Sequence, residues 1–224
     1  VLLMNSIATI TDTSNKDSAD LRGEVYAALD QIDQATEVSP ASVESLPQPA
    51  ADSQKLLAEE WQKVANGVYG VINALDAVLY EKNLYILSSN GVTKVPDVPA
   101  AKPVPSQWLK GVLVADPVHI AIDGKIFVLS RSGLLTTYYK GQKESEFQTN
   151  LSPSENTELL TTINGTALYL VHKVLGRIYV INKANGTLEK TLKLGTIDPL
   201  SQVILVDSKL YFATPDTRIW ALNI

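Results

Sequence analysis

A short phrase recurs four times along this chain, and a repeat constrains folding more than any local propensity. Each copy is one supersecondary unit that must stack on its neighbours. The copies are Asn83-Leu84-Tyr85-Ile86-Leu87, Lys125-Ile126-Phe127-Val128-Leu129, Arg177-Ile178-Tyr179-Val180-Ile181 and Lys209-Leu210-Tyr211-Phe212-Ala213. Each leads into a turn, at Asn90-Gly91, Ser132-Gly133, Asn185-Gly186 and Asp216-Thr217. From Val68 onward, short runs rich in Val, Ile, Tyr and Thr alternate with period two between Gly, Asn, Asp and Pro turns, which reads as β-structure. The second copy shows the unit most fully. His119 to Ile122 predicts a strand, Asp123-Gly124 a two-residue type I′ hairpin, and Lys125 to Ser130 the next strand. Leu134 to Lys140 predicts a third strand and Glu144 to Thr149 a fourth, outer one.

Residues 1–66 read differently. Leu21, Val25, Ala28, Leu29 and Ile32 recur at helical spacing between Ser18 and Glu37, with Asp17 or Ser18 as the cap and Ser39-Pro40 as the stop. A linker holding Pro40, Pro47 and Pro49 follows. A second helix is expected from Asp52 to Ala65, with Leu56, Leu57, Trp61 and Val64 on its apolar side and Glu60 at the edge of that stripe. Asn66-Gly67 is its stop signal. The expected division is therefore a helical segment with a Pro-rich linker, 1–66, and a mainly β domain, 67–224.

The 224 residues suffice for one good core plus an accessory segment. Net charge is −5 and no Lys/Arg cluster exists, which argues against a nucleic-acid partner. There is no cysteine, so disulfides and thiolate metal sites are excluded. Val1-Leu2-Leu3-Met4 is too short for a signal peptide or a membrane span. A chain that opens on this apolar run, without an initiating Met, reads as a piece of a longer protein.

The stretch Gly176 to Leu188 and the stretch Asp123-Gly124-Lys125-Ile126-Phe127-Val128 resemble the blade phrase of PQQ-like and NHL-like β-propellers. In those blades an aliphatic-aromatic strand precedes a polar-Gly turn and the next strand. The resemblance covers 68–224 and implies a mainly β propeller of four or five blades, with four recognisable blade repeats, preceded by two α-helices. The order of parts is also similar to membrane-tethered bacterial proteins with an external propeller. That implies an extracytoplasmic or cell-surface location, with membrane attachment only through a segment upstream of residue 1.

No catalytic constellation stands out. His119 and His172 have no carboxylate at ligand spacing. There is no Gly-x-Ser-x-Gly elbow, Asp-x-Asp calcium loop or glycine-rich phosphate loop. No catalytic residue, metal or cofactor is therefore expected. The sequons at Asn164 and Asn185 read better as Asn-Gly hairpins than as glycosylation sites, and Pro153 directly after the sequon at Asn150 makes it a poor acceptor. The expected binding residues are Trp108, which follows the Pro96 to Pro105 loop, and the adjacent Tyr138 and Tyr139, whose rings fall on opposite faces of one strand. The first expectation for function is a non-catalytic propeller module that senses a ligand or binds a protein partner on a loop face. The alternatives are a structural assembly component, and a propeller-class hydrolase or lyase drawing on Glu81, Asp123, Asp207 and His172.

Overall fold

The computed structural model describes residues 16–99, 103–110, 115–195 and 199–224. Two helices come first, α1 (Lys16–Asp33) and α2 (Gln48–Ala65), with two three-residue strands between them, β1 (Thr36–Val38) and β2 (Ala41–Val43). Four sheets follow. Blade 1 holds β3 (Ala74–Tyr80), β4 (Asn83–Ser88), β5 (Gly91–Val95) and β6 (Ser106–Lys110). Blade 2 holds β7 (Pro117–Ile122), β8 (Ile126–Ser130), β9 (Leu134–Tyr139) and β10 (Gln142–Gln148). Blade 3 holds β11 (Thr157–Thr161), β12 (Ala167–His172), β13 (Arg177–Asn182) and β14 (Leu188–Leu194). Blade 4 holds β15 (Gln202–Val206), β16 (Lys209–Ala213) and β17 (Ile219–Asn223). The first strand of each blade lies innermost, with β3 beside β7, β7 beside β11 and β11 beside β15. The chain forms a four-bladed β-propeller.

The repeated phrase explains why the blades stack. On the second strand of each blade, residues 2 and 4 face the preceding blade and residues 3 and 5 the following one. Tyr85 and Leu87 pack with Ile126 and Val128 between blades 1 and 2. Phe127 and Leu129 pack with Leu168 and Leu170 between blades 2 and 3. Val171 and Tyr169 pack with Leu210 and Phe212 between blades 3 and 4. Strand alternation with both faces apolar is what two-sided burial requires.

One expected copy falls on a different strand. Arg177 to Ile181 is the third strand of blade 3, and the second-strand position belongs to Ala167-Leu168-Tyr169-Leu170-Val171. Its alternation runs in the opposite sense, with Ile178 and Val180 facing blade 4. The innermost strand β11 begins at Thr157. Asp123-Gly124 is not a type I′ turn. Ile122 pairs with Ile126, leaving three residues in the turn, and Gly124 alone is left-handed there, at φ 107°.

On blade 1, the face that a preceding blade would cover is covered by α2. Leu84 and Ile86 pack with Val64, Trp61 and Leu57. The helix reaches blade 4 as well, through a 2.5 Å hydrogen bond from Gln202 Nε2 to Gln54 Oε1. A cavity of about 270 Å³ remains at this seam, lined by Gln54, Trp61, Leu75, Asp76 and Gln202 among others. The helix starts earlier than its sequence suggested, because Pro47 and Pro49 open it from positions that need no N–H. Glu60 is not at the edge of the stripe. It is fully buried, accepting from Tyr69 Oη and from Lys63 Nζ.

The linker supplies blade edges. β1 pairs in parallel with β14, Thr36 opposite Leu192, and β2 pairs antiparallel with β17, Ala41 opposite Ala221. Ser39-Pro40 thus crosses from blade 3 to blade 4 and closes both outer edges, the exposure that sheets must manage. Period-two patterning is unreadable in three residues. Helix α1 is fixed to blade 3 by Leu29 against Leu175, by Lys193 Nζ to Asp30 (2.6 Å), and by the buried Arg177 between Asp30 and Asp33. Val25 and Leu29 carry its inner face as expected, but Ile32 is 72% exposed. The expected caps Asp17 and Ser18, the face residue Leu21, and Val1 to Met4 lie outside the described side chains.

Two substitutions test this packing. Gly186 is left-handed at φ 71°, and a Cβ there would collide with Cβ of Phe147 in blade 2. Gly186→Ala is expected to destabilise the protein by about 2–4 kcal/mol in urea unfolding, and an unchanged midpoint would refute the tight blade contact. Glu60→Ala leaves the Tyr69 hydroxyl without its partner and is expected to cost about 2–3 kcal/mol by the same assay.

Candidate functional site

Two places in the propeller gather chemistry. The first is axial. The fifth residue of each second-strand phrase pairs across to a polar residue on the innermost strand: Leu87 to Asp76, Leu129 to His119, Val171 to Glu158 and Ala213 to Gln202. These four side chains stand at equivalent levels of the four inner strands. In blades 1 and 2 a β-bulge precedes the polar residue, between Ala74 and Asp76 and between Pro117 and His119, and a bulge re-aims the side chain beside it.

Asp76 and His119 are joined, His119 Nδ1 standing 3.3 Å from Asp76 Oδ2, which also accepts from Ile120 N at 3.0 Å. His119 Nε2 lies 2.7 Å from Thr157 Oγ1 and 3.0 Å from the Ser154 carbonyl. The order Asp–His–Thr has the connectivity of a hydrolase triad. The Thr157 hydroxyl, however, donates to the Ser154 carbonyl at 2.6 Å and accepts from Ser154 N at 3.0 Å. It is buried, and it fastens the turn before β11. Burial pushes the Glu158 carboxyl up, to about 7, while the Lys173 ammonium 3.9 Å away pulls it back and Asp76 pushes it further. Burial holds His172 down, at about 4, and its Nδ1 accepts from Leu175 N at 3.3 Å.

The second place is a cleft of about 640 Å³ between blades 2 and 3, within the roughly 300–1,000 Å³ of ligand pockets. Blade 2 supplies Phe127, Thr137 and Ser145, which stand in one cross-strand row, with Tyr139 beside them. Turns supply Asp123, Ile163 and Lys183. Lys183 Nζ is engaged three ways, with Asp123 Oδ2 at 2.6 Å and the carbonyls of Thr162 and Gly165 at 2.8 Å each. Lys125 pairs with Glu144 at 2.6 Å. Tyr139 is 44% exposed and Ile163 63% exposed. Thr137 is buried, and its hydroxyl has no hydrogen-bond partner.

Of the expected binding residues, Tyr139 lines this cleft. Tyr138 is buried in the core between blades 1 and 2, and the half-buried Trp108 packs against that core, edge-to-face on Tyr85 with centroids 6.4 Å apart. The four residues offered for a hydrolase fall at two ends of the blades. Glu81, Asp123 and Asp207 lie in turns between first and second strands, whereas His172 ends β12 at the far end of its blade. Asp76, Glu158, Thr137 and Ile163 escaped the sequence reading. Aligning the inner strands on the fifth phrase residue would have found the first two, but the offsets vary from ten to thirteen residues. Among the described residues, no group of three or more His, Cys, Asp or Glu could hold a metal ion, and no helix is long and apolar enough to cross a membrane.

No family profile and no curated protein sequence matches this chain. Solved structures do resemble it. BamB from Moraxella catarrhalis is 16% identical over 66% of this chain and 42% of that one, with a TM-score of 0.43. A chain of the nidogen/laminin complex is 16% identical over 67% and 60%, at 0.49. Myxococcus xanthus glutaminyl cyclase is 15% identical over 65% and 70%, at 0.47. This chain spans less than half of the BamB chain. A cyclase stands beside a nidogen/laminin complex in this set, so the likeness carries no activity.

Glu158 and His172 predict opposing pH effects. The folded state holds a proton on Glu158 that the unfolded chain releases above about 4.5, so this group disfavours folding as pH rises towards about 7. The folded state refuses a proton on His172 that the unfolded chain takes below about 6.5, so this group disfavours folding as pH falls towards about 4. Glu158→Gln is therefore expected to be more stable than the parent at about pH 8, equal to it near pH 4, and to show stability rising with pH between. Urea unfolding across that range checks it, and an advantage independent of pH would refute it.

Proposed function

We propose that this propeller is a non-catalytic binding module that receives a protein partner or small ligand in the cleft between blades 2 and 3. The observation that carries the reading is the combination in that cleft of ligand-sized volume, two exposed apolar side chains on its walls and a buried hydroxyl without a partner. Convergent polar groups within a partly apolar concavity are the ordinary mark of a binding site. The axial polar groups support the same reading, since the hydroxyl nearest His119 is engaged within its own turn.

A photo-crosslinking residue at position 163 or 139, introduced in the native cell, is expected to give discrete adducts. The same residue at the exposed Glu59 of α2 is expected to give none of them. Identical patterns at all three positions would remove the cleft as the binding surface.

A further inference from the structure

We propose that Asn164 is a site of self-modification: it loses its side-chain amide by reaction with the glycine that follows it, and the product loosens the Lys183 tie between blades 2 and 3. The reaction needs no enzyme. The Gly165 backbone nitrogen attacks Cγ of Asn164, and the new C–N bond closes a cyclic succinimide. The side-chain nitrogen leaves as ammonia, carrying the proton that Gly165 gives up. Water then opens the ring at either carbonyl, leaving aspartate or isoaspartate. Glycine matters at the attacking position because it has no Cβ to hinder the approach.

The chain holds four such pairs, at Asn66-Gly67, Asn90-Gly91, Asn164-Gly165 and Asn185-Gly186, and each asparagine is exposed in a turn. They differ in how firmly the fold holds them. Asn185 Oδ1 accepts from Thr187 N at 3.0 Å and from Thr187 Oγ1 at 2.8 Å, and Gly186 N donates to Asn182 O at 2.9 Å. Asn66 ends α2, where the amides of Asn66, Gly67 and Val68 donate to Gln62, Val64 and Lys63 at 3.0 Å each. Asn90 N donates to Ser88 Oγ and its carbonyl accepts from Gln107 Nε2, while Gly91 belongs to the β4–β5 ladder opposite Ser88. The Asn164 side chain has no hydrogen bond among the described residues. Gly165 N reaches Thr162 O at 3.3 Å, and Lys183 Nζ donates to that same carbonyl at 2.8 Å.

Each hydrogen bond that must break on the way to the succinimide raises the barrier. Asn164 is therefore expected to react at least about tenfold faster than Asn185, about 1.4 kcal/mol in barrier height. Its place gives the reaction a consequence. Lys183 Nζ is held by the Thr162 and Gly165 carbonyls at 2.8 Å each and by Asp123 of blade 2 at 2.6 Å. Asn164 lies between those two carbonyls in the chain. In isoaspartate the backbone runs through the former side chain and is one methylene longer, so the two carbonyls no longer converge on one ammonium. The tie between blades 2 and 3 weakens, next to the wall that Ile163 gives the cleft.

The test ages the full chain in mildly alkaline buffer, with a parallel sample held unfolded in concentrated urea, and follows each Asn-Gly peptide by mass spectrometry. In the folded protein Asn164 is expected to convert first, with isoaspartate among its products. In urea the Asn-Gly pairs are expected to convert at similar rates, because the restraints that rank them are gone. The aged protein should unfold at a lower urea midpoint than the fresh one. Aged Asn164→Gln, whose longer side chain closes the ring poorly, should keep its fresh midpoint. Faster conversion at Asn66, Asn90 or Asn185 in the folded protein overturns the proposal. The same ranking in urea overturns it too, since the selectivity would then lie in the local sequence and not in the fold. A midpoint unmoved after most of Asn164 has converted overturns the link to Lys183.

Discussion

Every sheet here is apolar on both faces, and the molecule is organised by the need to cover both faces of each blade. A phrase of five residues meets this need by sending alternate side chains forward and backward, so that three inter-blade cores form from one pattern repeated. A closed ring would need a fourth such core between blades 4 and 1. In its place α2 lies on blade 1, putting Leu57, Trp61 and Val64 where a preceding blade's second strand would stand. The buried Glu60 is tolerated in that interface because Tyr69 and Lys63 satisfy it. The helix is thus part of the ring, as are the two short strands that run before it.

The two chemical centres follow from the same geometry. Inner strands converge on the axis, so a polar residue at one register level of each blade meets its equivalents. Asp76 and His119 are joined there, while Glu158 pairs with Lys173 and Gln202 bonds to Gln54 of α2. Away from the axis blades diverge, and the space between blades 2 and 3 opens into the cleft where turns of both contribute. The Asp123–Lys183 pair ties the two blades together at its floor. A rigid frame with an open, partly apolar concavity between its blades is what a binding module requires, since little ordering entropy remains to oppose association.

Much of the architecture was legible. The period-two runs, the four aromatic phrases and the polar-Gly turns specified blades, and helical spacing with Asn66-Gly67 specified α2 and its end. Errors arose where a local signal competed with a tertiary one. Pro47 and Pro49 read as linker because proline usually breaks helices, yet they occupy the first turn, where it is accepted. Thr36–Val38 and Ala41–Val43 are too short to show alternation, and only the unpaired edges of β14 and β17 make them strands. Of three aromatic residues expected to bind, Tyr138 is buried in a core and Trp108 lies half-buried against it. Side-chain alternation put Tyr139 on the other face, where blade 3 has turns in place of a strand.

Sequence alone determined the repeating unit, the strand-forming runs, the absence of cysteine chemistry and the existence of the second helix. These rest on periodicity and composition, which are properties of neighbours in the chain. Tertiary structure alone decided that α2 closes the seam, that Asp76 meets His119 across 43 positions of the chain, and that Tyr139 and Ile163 line one cleft. Such juxtapositions depend on bulges, loop lengths and the angle between blades. No spacing within one segment encodes the distance between residues that separate blades bring to a shared axis or cleft.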